Sequence, residues 1–131
     1  MLMTLMASLP NLLAGNFDLG SWEPTQIHSG EADIVTDGEP VGVAFAKYQV
    51  IARANAGANA GKLVPWDPAG SDGAELAIGI ANEAGVPGTY APYYCGGVFN
   101  PDAIVWPASV TSVAARKAAF ARTNIQITTL Y

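Results

Sequence analysis

The sequence predicts a small, mainly β domain with one helix near its C-terminus and an extended arm at its N-terminus. Three observations lead to this fold class. From residue 41 onward, short runs of β-branched and aromatic residues recur between turns that contain Gly and Pro, which is typical of strands. One Ala-rich stretch close to the C-terminus favours a helix. Residues 15–40 hold neither the period of 2 of a strand nor the period of 3.6 of a helix.

The strand candidates follow one another with short connections, as in a β domain of this size. Gly96-Gly97 is expected to split one aromatic run into two pieces, and Pro107 is expected to end the last strand of the series. The expected strands lie at residues 41–46, 48–52, 62–66, 75–81, 90–95, 98–99 and 104–106.

The predicted helix covers residues 113–121, which are rich in good helix formers. Ser109 or Ser112 can cap its N-terminus, because a serine hydroxyl accepts a hydrogen bond from a free amide of the first turn. Val113 and Phe120 are seven residues apart, so helical spacing puts them on one face.

A closing strand is predicted at residues 123–130, where apolar and polar residues alternate. Its apolar face joins the large aromatic side chains that we expect to anchor the core. Asp67 is expected to form a turn beside Pro68, and Pro107 to end a strand. The residues predicted to anchor the fold are Trp66, Asp67, Trp106, Pro107, Phe120, Ile125 and Ile127.

The charge distribution separates an acidic first part from a nearly neutral second part. Residues 1–46 hold six acids and no Lys or Arg, whereas residues 47–131 hold five acids and six bases. We divide the chain into an arm, residues 1–40, and a β-rich body, residues 41–131. The isolated apolar residues of the arm are suited to contact with another protein rather than to a core of its own. The candidate contact residues are Trp22, Ile27, Ile34 and Val35.

Composition argues against several classes of function. A net charge of −5 disfavours direct binding of nucleic acid, which requires a basic surface. One Cys and one His supply neither a zinc site nor a catalytic triad. Residues 1–13 are apolar but lack a basic start and are broken by Pro10, so we expect neither a secretory signal nor a membrane span. We therefore expect no catalytic residues, metal or cofactor.

An ordered series of short motifs runs through residues 62–127, about half of the chain. In order and spacing, the series resembles the phage head decoration proteins, the family of the lambda protein. The motifs are Lys62-Leu63-Val64-x-Trp66-Asp67, Asp72-Gly73-Ala74, Gly79-Ile80, Tyr94, Gly97, Phe99, Val105-Trp106-Pro107, Lys117, Ala119-Phe120, Thr123, Ile125 and Ile127.

This resemblance implies a body of β-clip, or β-tulip, type and a structural protein without enzymatic activity. It implies homotrimers at the threefold and quasi-threefold positions of the expanded head, bound to the major capsid protein. The arm would lie on the shell and add a strand to the capsid protein, and the trimer would act as a cement against internal DNA pressure. The location implied is the outer surface of the virion, after synthesis in the host cytoplasm.

Two other functions remain open at the level of sequence. A surface module that binds glycan could use Tyr90, Tyr93 and Tyr94 as an aromatic platform. A small-molecule enzyme on a trimeric β-clip body would need a polar pocket at the subunit boundaries, and the lack of clustered His, Cys or acidic residues counts against it.

Overall fold

The computed structural model describes residues 26–30 and 32–129. They form one sheet of six strands with a short 3-10 helix and one α-helix. The predicted fold class, mainly β with one C-terminal helix, is confirmed, while the β-clip type stays a prediction. Trp22 and the apolar residues 1–13 lie outside the described residues. The elements are β1 (Val35–Pro40), β2 (Val50–Arg53), β3 (Leu63–Pro65), β4 (Ala77–Ala81), β5 (Tyr90–Phe99), the 3-10 helix (Pro101–Ala103), α1 (Val113–Ala119) and β6 (Asn124–Ile127).

The sheet is built around β5, its longest strand. The strand order is β1-β5-β4-β2-β3 with antiparallel neighbours, and β6 pairs with β5 in parallel. β1 pairs with residues 90–96 and β6 with residues 96–99, so the two take successive parts of β5. Gly97 at this change of partner has a φ of 135°, a conformation that favours glycine. The two pieces predicted at 90–95 and 98–99 are therefore one kinked strand.

Buried side chains form two core clusters on opposite faces of the sheet. Side chains alternate along a strand, so on β2 Val50 and Ala52 join the larger cluster while Ile51 joins the smaller. The larger cluster holds Trp66, Phe99 and Phe120. This arrangement explains why β2 is buried along most of its length although it has only four residues.

The strand predicted at residues 41–46 is wrong. This segment is irregular, and only Val41 and Phe45 make isolated bridges, to Leu63 and Gly85. Both side chains are buried in the smaller cluster. The Phe45 ring lies directly over Gly85, where an added Cβ would come within 2.4 Å of Cζ. The apolar pattern of this segment therefore serves contacts with separate loops and not a continuous ladder.

The helix is confirmed over Val113–Ala119, and its cap is Ser112, whose Oγ accepts a hydrogen bond from the Ala115 amide at 3.1 Å. Val113 and Phe120 do not share the predicted helical face, since Val113 is 47% exposed while Phe120 is 2% exposed. Phe120 is buried at the C-terminal cap, after the helix has ended. The closing strand is confirmed, with Ile125 and Ile127 buried and the residue between them exposed.

The residues predicted to anchor the fold differ in burial: four are buried, two are half-buried and one is exposed. Phe120 is buried like Trp66, Ile125 and Ile127, and the half-buried Trp106 ring contacts it with a centroid distance of 5.9 Å. Asp67 is exposed and its Oδ1 accepts from the Ala69 amide at 3.0 Å, and the carbonyl of half-buried Pro107 accepts from the Val110 amide at 2.9 Å. Their contribution to stability stays a prediction that mutation tests.

Candidate interaction surfaces

The arm joins the body through residues 26–30, which lie against the end of β5. The Asn100 amide donates to the Ile27 carbonyl at 2.7 Å, and its side-chain Nδ2 donates to the Gln26 carbonyl at 3.0 Å. The His28 ring packs between the rings of Tyr94 and Phe99, with centroid distances of 5.3 and 5.0 Å. These contacts fix the point at which the arm leaves the body.

The four residues predicted to contact another protein have different environments. Ile27 is half-buried and packs against the larger core cluster, because the segment around it is hydrogen-bonded to the body. Ile34 is 52% and Val35 48% exposed, and Trp22 lies outside the described residues. The structure therefore leaves Ile34 and Val35 accessible to a partner and uses Ile27 within the molecule.

β1 is an edge strand of the sheet, although the sequence assigned its residues to the arm. Its inner side pairs with β5 from Thr36–Tyr94 to Pro40–Tyr90. Its other side has no strand partner in the described part of the chain. An edge of this kind presents unpaired backbone groups to which a further strand can add. The boundary at residue 40 stays a prediction, but the last six residues of the predicted arm belong to the body's sheet.

A polar cluster fastens β1 to the sheet. The Arg53 guanidinium on β2 makes an ion pair with Glu39 on β1. The Tyr93 hydroxyl on β5 donates to the Glu39 carboxylate at 2.7 Å and accepts from Arg53 at 3.0 Å. Three strands that are distant in sequence are thus joined at one point.

This polar cluster changes the proton affinities of its members. The Arg53 hydrogen bond lowers the pKa of Glu39, against a smaller opposing effect of burial. Burial, followed by the hydrogen bond to Glu39, raises the pKa of Tyr93 well above its ordinary value. Burial also raises the pKa of the nearby half-buried Cys95 thiol, which disfavours the reactive thiolate.

An apolar cleft of about 710 Å³ lies between the start of β4 and α1, and we call it the α1 cleft. Apolar side chains make up most of its wall, and Glu75 and Arg122 are its charged members. Leu76 in this wall is 51% exposed, and α1 has no buried residue. The residues that line the cleft are Trp66, Pro68, Glu75, Leu76, Ala77, Ile78, Val110, Ala115, Ala118, Ala119, Ala121, Arg122 and Thr123.

A loop with an exposed apolar side chain, residues 82–89, connects β4 to β5 and is here named the β4–β5 loop. Val86 in this loop is 59% exposed, and Tyr90 directly after it is 77% exposed. Hydrogen bonds fix its shape: the Phe45 and Gly85 backbones bond in both directions, and the Thr89 amide donates to the Val86 carbonyl at 3.1 Å. The backbone of the loop is therefore held in place, and the apolar Val86 side chain is exposed.

The other two candidate functions gain no support from this geometry. Tyr93 is 3% exposed, so Tyr90, Tyr93 and Tyr94 do not form one exposed platform for glycan. Within residues 26–30 and 32–129, no three His, Cys, Asp or Glu side chains are grouped closely enough to hold a metal ion. In the same part of the chain, no helix has both the length and the apolar character needed to cross a membrane.

A fixed arm root, an edge strand and an apolar cleft define a class of protein whose surfaces are suited to contact with other proteins. The sequence model of the family "bacteriophage lambda head decoration protein D" matches residues 21–127, and the chain belongs to this family. It is therefore a structural protein that decorates the outer surface of the phage head. The match extends beyond the motifs at 62–127 into the predicted arm. No curated protein matches the chain significantly.

Proposed function

We propose that this chain is a cement protein that binds the major capsid protein of the expanded head as a homotrimer at threefold and quasi-threefold positions. A protein that binds only the expanded lattice stabilises that lattice against rupture by packaged DNA. At a free concentration 100-fold above the dissociation constant, the stabilisation is about 2.7 kcal/mol per site. The family match is the observation that carries this proposal.

The arm and β1 supply the contact with the capsid protein. A strand of capsid protein adds along the arm or at the open side of β1, where backbone groups have no strand partner in the described residues. Backbone hydrogen bonds provide affinity, and Trp22, Ile34 and Val35 fill pockets on the shell. Ile27 anchors the arm root to the body instead, because it packs against the core.

Three arms on one trimer give avidity. Once the first arm binds, the other two are held close to their sites, so that each contact can be weak while the trimer as a whole binds tightly. The fixed arm root supports this arrangement, since it limits the volume that each arm explores.

The test is co-sedimentation with heads of the cognate phage that have been stripped of this protein, in the unexpanded and the expanded state. We expect saturable binding to expanded heads alone, with a gain in heat resistance. A chain without residues 1–25 keeps the arm root and β1, so it should fold but lose most of its binding. Strong binding by this truncated chain would contradict the arm mechanism, and failure of the intact chain to bind either head would contradict the proposed function.

A point substitution sharpens the test of the arm. Ile34→Asp places a charge where an apolar contact is proposed, and we expect it to weaken head binding at least tenfold without loss of thermal stability, since Ile34 is exposed. Ser109→Asp, also at an exposed position, is the matched control and should bind as the native chain does. Equal binding by both variants would show that Ile34 does not contact the head.

A further inference from the structure

We propose that the α1 cleft of one chain receives the β4–β5 loop of a second copy, so that the homotrimer is a head-to-tail ring. This inference rests on the proposed function in one respect, which is that the ring contains three chains. The loop and the cleft themselves are features of a single chain.

The α1 cleft has the character of a surface that a partner covers. A helix of seven residues has little stability by itself in water and depends on packing. Yet none of the residues of α1 is buried. One side of the helix lines the cleft with Ala115, Ala118 and Ala119, and the half-exposed Leu76 also lines it. Filling the cleft with apolar side chains would remove this surface from water and pack the helix at the same time.

The β4–β5 loop has the composition that an apolar cleft requires. Val86 in the loop is 59% exposed, and no charged residue occurs between Glu83 and Asp102. Burial of this part of the loop in an apolar cleft therefore does not require the desolvation of a charged side chain. Because hydrogen bonds to Val41 and Phe45 already hold the loop, little conformational entropy is lost on docking.

A chain cannot place this loop in its own cleft. β4 begins in the wall of the cleft at Ala77 and ends at Ala81, just before the loop. Its five residues span roughly 17 Å, and the loop is tied down at its own end of the strand. The loop that fills the cleft must come from another copy. Two different patches in contact make a heterologous interface, which is the kind that a cyclic trimer needs.

Charges around the two patches are complementary. Residues 63–115 contain no Lys or Arg, and Glu83 lies at the foot of the loop. Arg122, which follows α1 in the chain, lines the cleft. A docked loop would bring Glu83 of one copy towards Arg122 of the next, which favours this orientation over its reverse.

Cysteine cross-linking on decorated heads tests the ring. In a Cys95→Ser background, a chain with both Val86→Cys and Ala118→Cys places one thiol on the loop and one in the cleft. Treatment with a short bismaleimide should give covalent trimers on a denaturing gel. A mixture of the two single variants should stop at dimers, because each chain then carries one reactive patch. Val86→Cys with Lys62→Cys, at an exposed position outside the cleft, should stay mostly monomeric.

The same reaction, run also on concentrated free protein, separates the two proposals. Head binding without covalent trimers would overturn the ring and leave the cement function in place. Covalent trimers in solution from a chain that binds no heads would overturn the cement function and leave the ring. Dimers from Val86→Cys alone would show that two loops meet, which also overturns the loop-in-cleft contact.

Discussion

At the scale of single residues, the Glu39, Arg53 and Tyr93 cluster shows how a few polar groups hold an edge strand. The ion pair is partly accessible to water, with the Arg53 side chain 41% and the Glu39 side chain 19% exposed. A pair of this kind contributes about 1 kcal/mol or less. Its role is therefore one of register and position: it joins β1 to two strands of the body at a defined point.

We expect Glu39→Gln to loosen β1 at neutral pH by about 0.5–1 kcal/mol. The folded-state pKa of Glu39 is lowered by Arg53, so its contribution is complete above the ordinary carboxyl value of 4.5 and is lost as the pH falls through the folded value. Hydrogen exchange of the β1 amides in both proteins between pH 3 and 7 measures this. A difference that persists unchanged at the acid end would contradict the assignment.

Substitution of Phe120 measures how much the packing at the end of α1 contributes to the free energy of unfolding. Phe120 is 2% exposed and contacts the Trp106 ring, so Phe120→Ala should lower the free energy of unfolding by about 3–5 kcal/mol. Urea unfolding followed by tryptophan fluorescence gives the value. Val113→Ala, at an exposed helix position, is the control and should change stability by less than about 0.5 kcal/mol. A loss below 1 kcal/mol for Phe120→Ala would mean that Phe120 does not anchor the fold.

At the scale of elements, α1 is less supported than the sheet. Strand β5 is paired with three other strands, whereas α1 lies over the cleft with no buried residue. The local stability of the helix therefore depends strongly on its cap.

The cap supplies a prediction about this element. Ser112→Ala removes the hydrogen bond to the Ala115 amide and should weaken α1 by about 1 kcal/mol. We expect roughly fivefold faster hydrogen exchange of the α1 amides, with the sheet unaffected. Ser109→Ala is the matched control, because the structure assigns the cap to Ser112. Equal effects of the two substitutions would show that this assignment is wrong.

At the scale of the whole molecule, we propose two kinds of partner. In this proposal the arm and β1 contact the capsid protein, and the α1 cleft and the β4–β5 loop contact neighbouring copies. Avidity would couple the two contacts, since a ring would bring three arms to the head together.

Ala118→Glu places a charge in the apolar wall of the α1 cleft without disturbing a buried residue. If the ring supplies avidity, this change should lower the apparent affinity for expanded heads by about 100-fold or more, while the midpoint of thermal unfolding stays close to native. Co-sedimentation and calorimetry measure the two quantities. If this variant bound expanded heads with native affinity, the α1 cleft would not take part in assembly of the trimer.

Much of the fold could be predicted from local pattern. Alternation fixed the buried face of β6 at Ile125 and Ile127, and the Ala-rich stretch placed α1. The pattern failed at residues 41–46, where an apolar run became an irregular segment because Phe45 packs on Gly85, forty residues away. It also failed for Val113, since the sequence could not show that the helix ends before Phe120.

The sequence by itself determined the fold class, the late helix, the acidic first part of the chain and, through its ordered motifs, the family. These depend on local periodicity, on summed charge and on residues in fixed order. Only the tertiary structure decided that Val35–Pro40 belongs to the sheet, that Ile27 faces the core, and that a rigid loop and an apolar cleft lie at opposite ends of β4. The physical reason is that these features arise from contacts between segments distant in sequence, and local pattern carries no record of which segments meet.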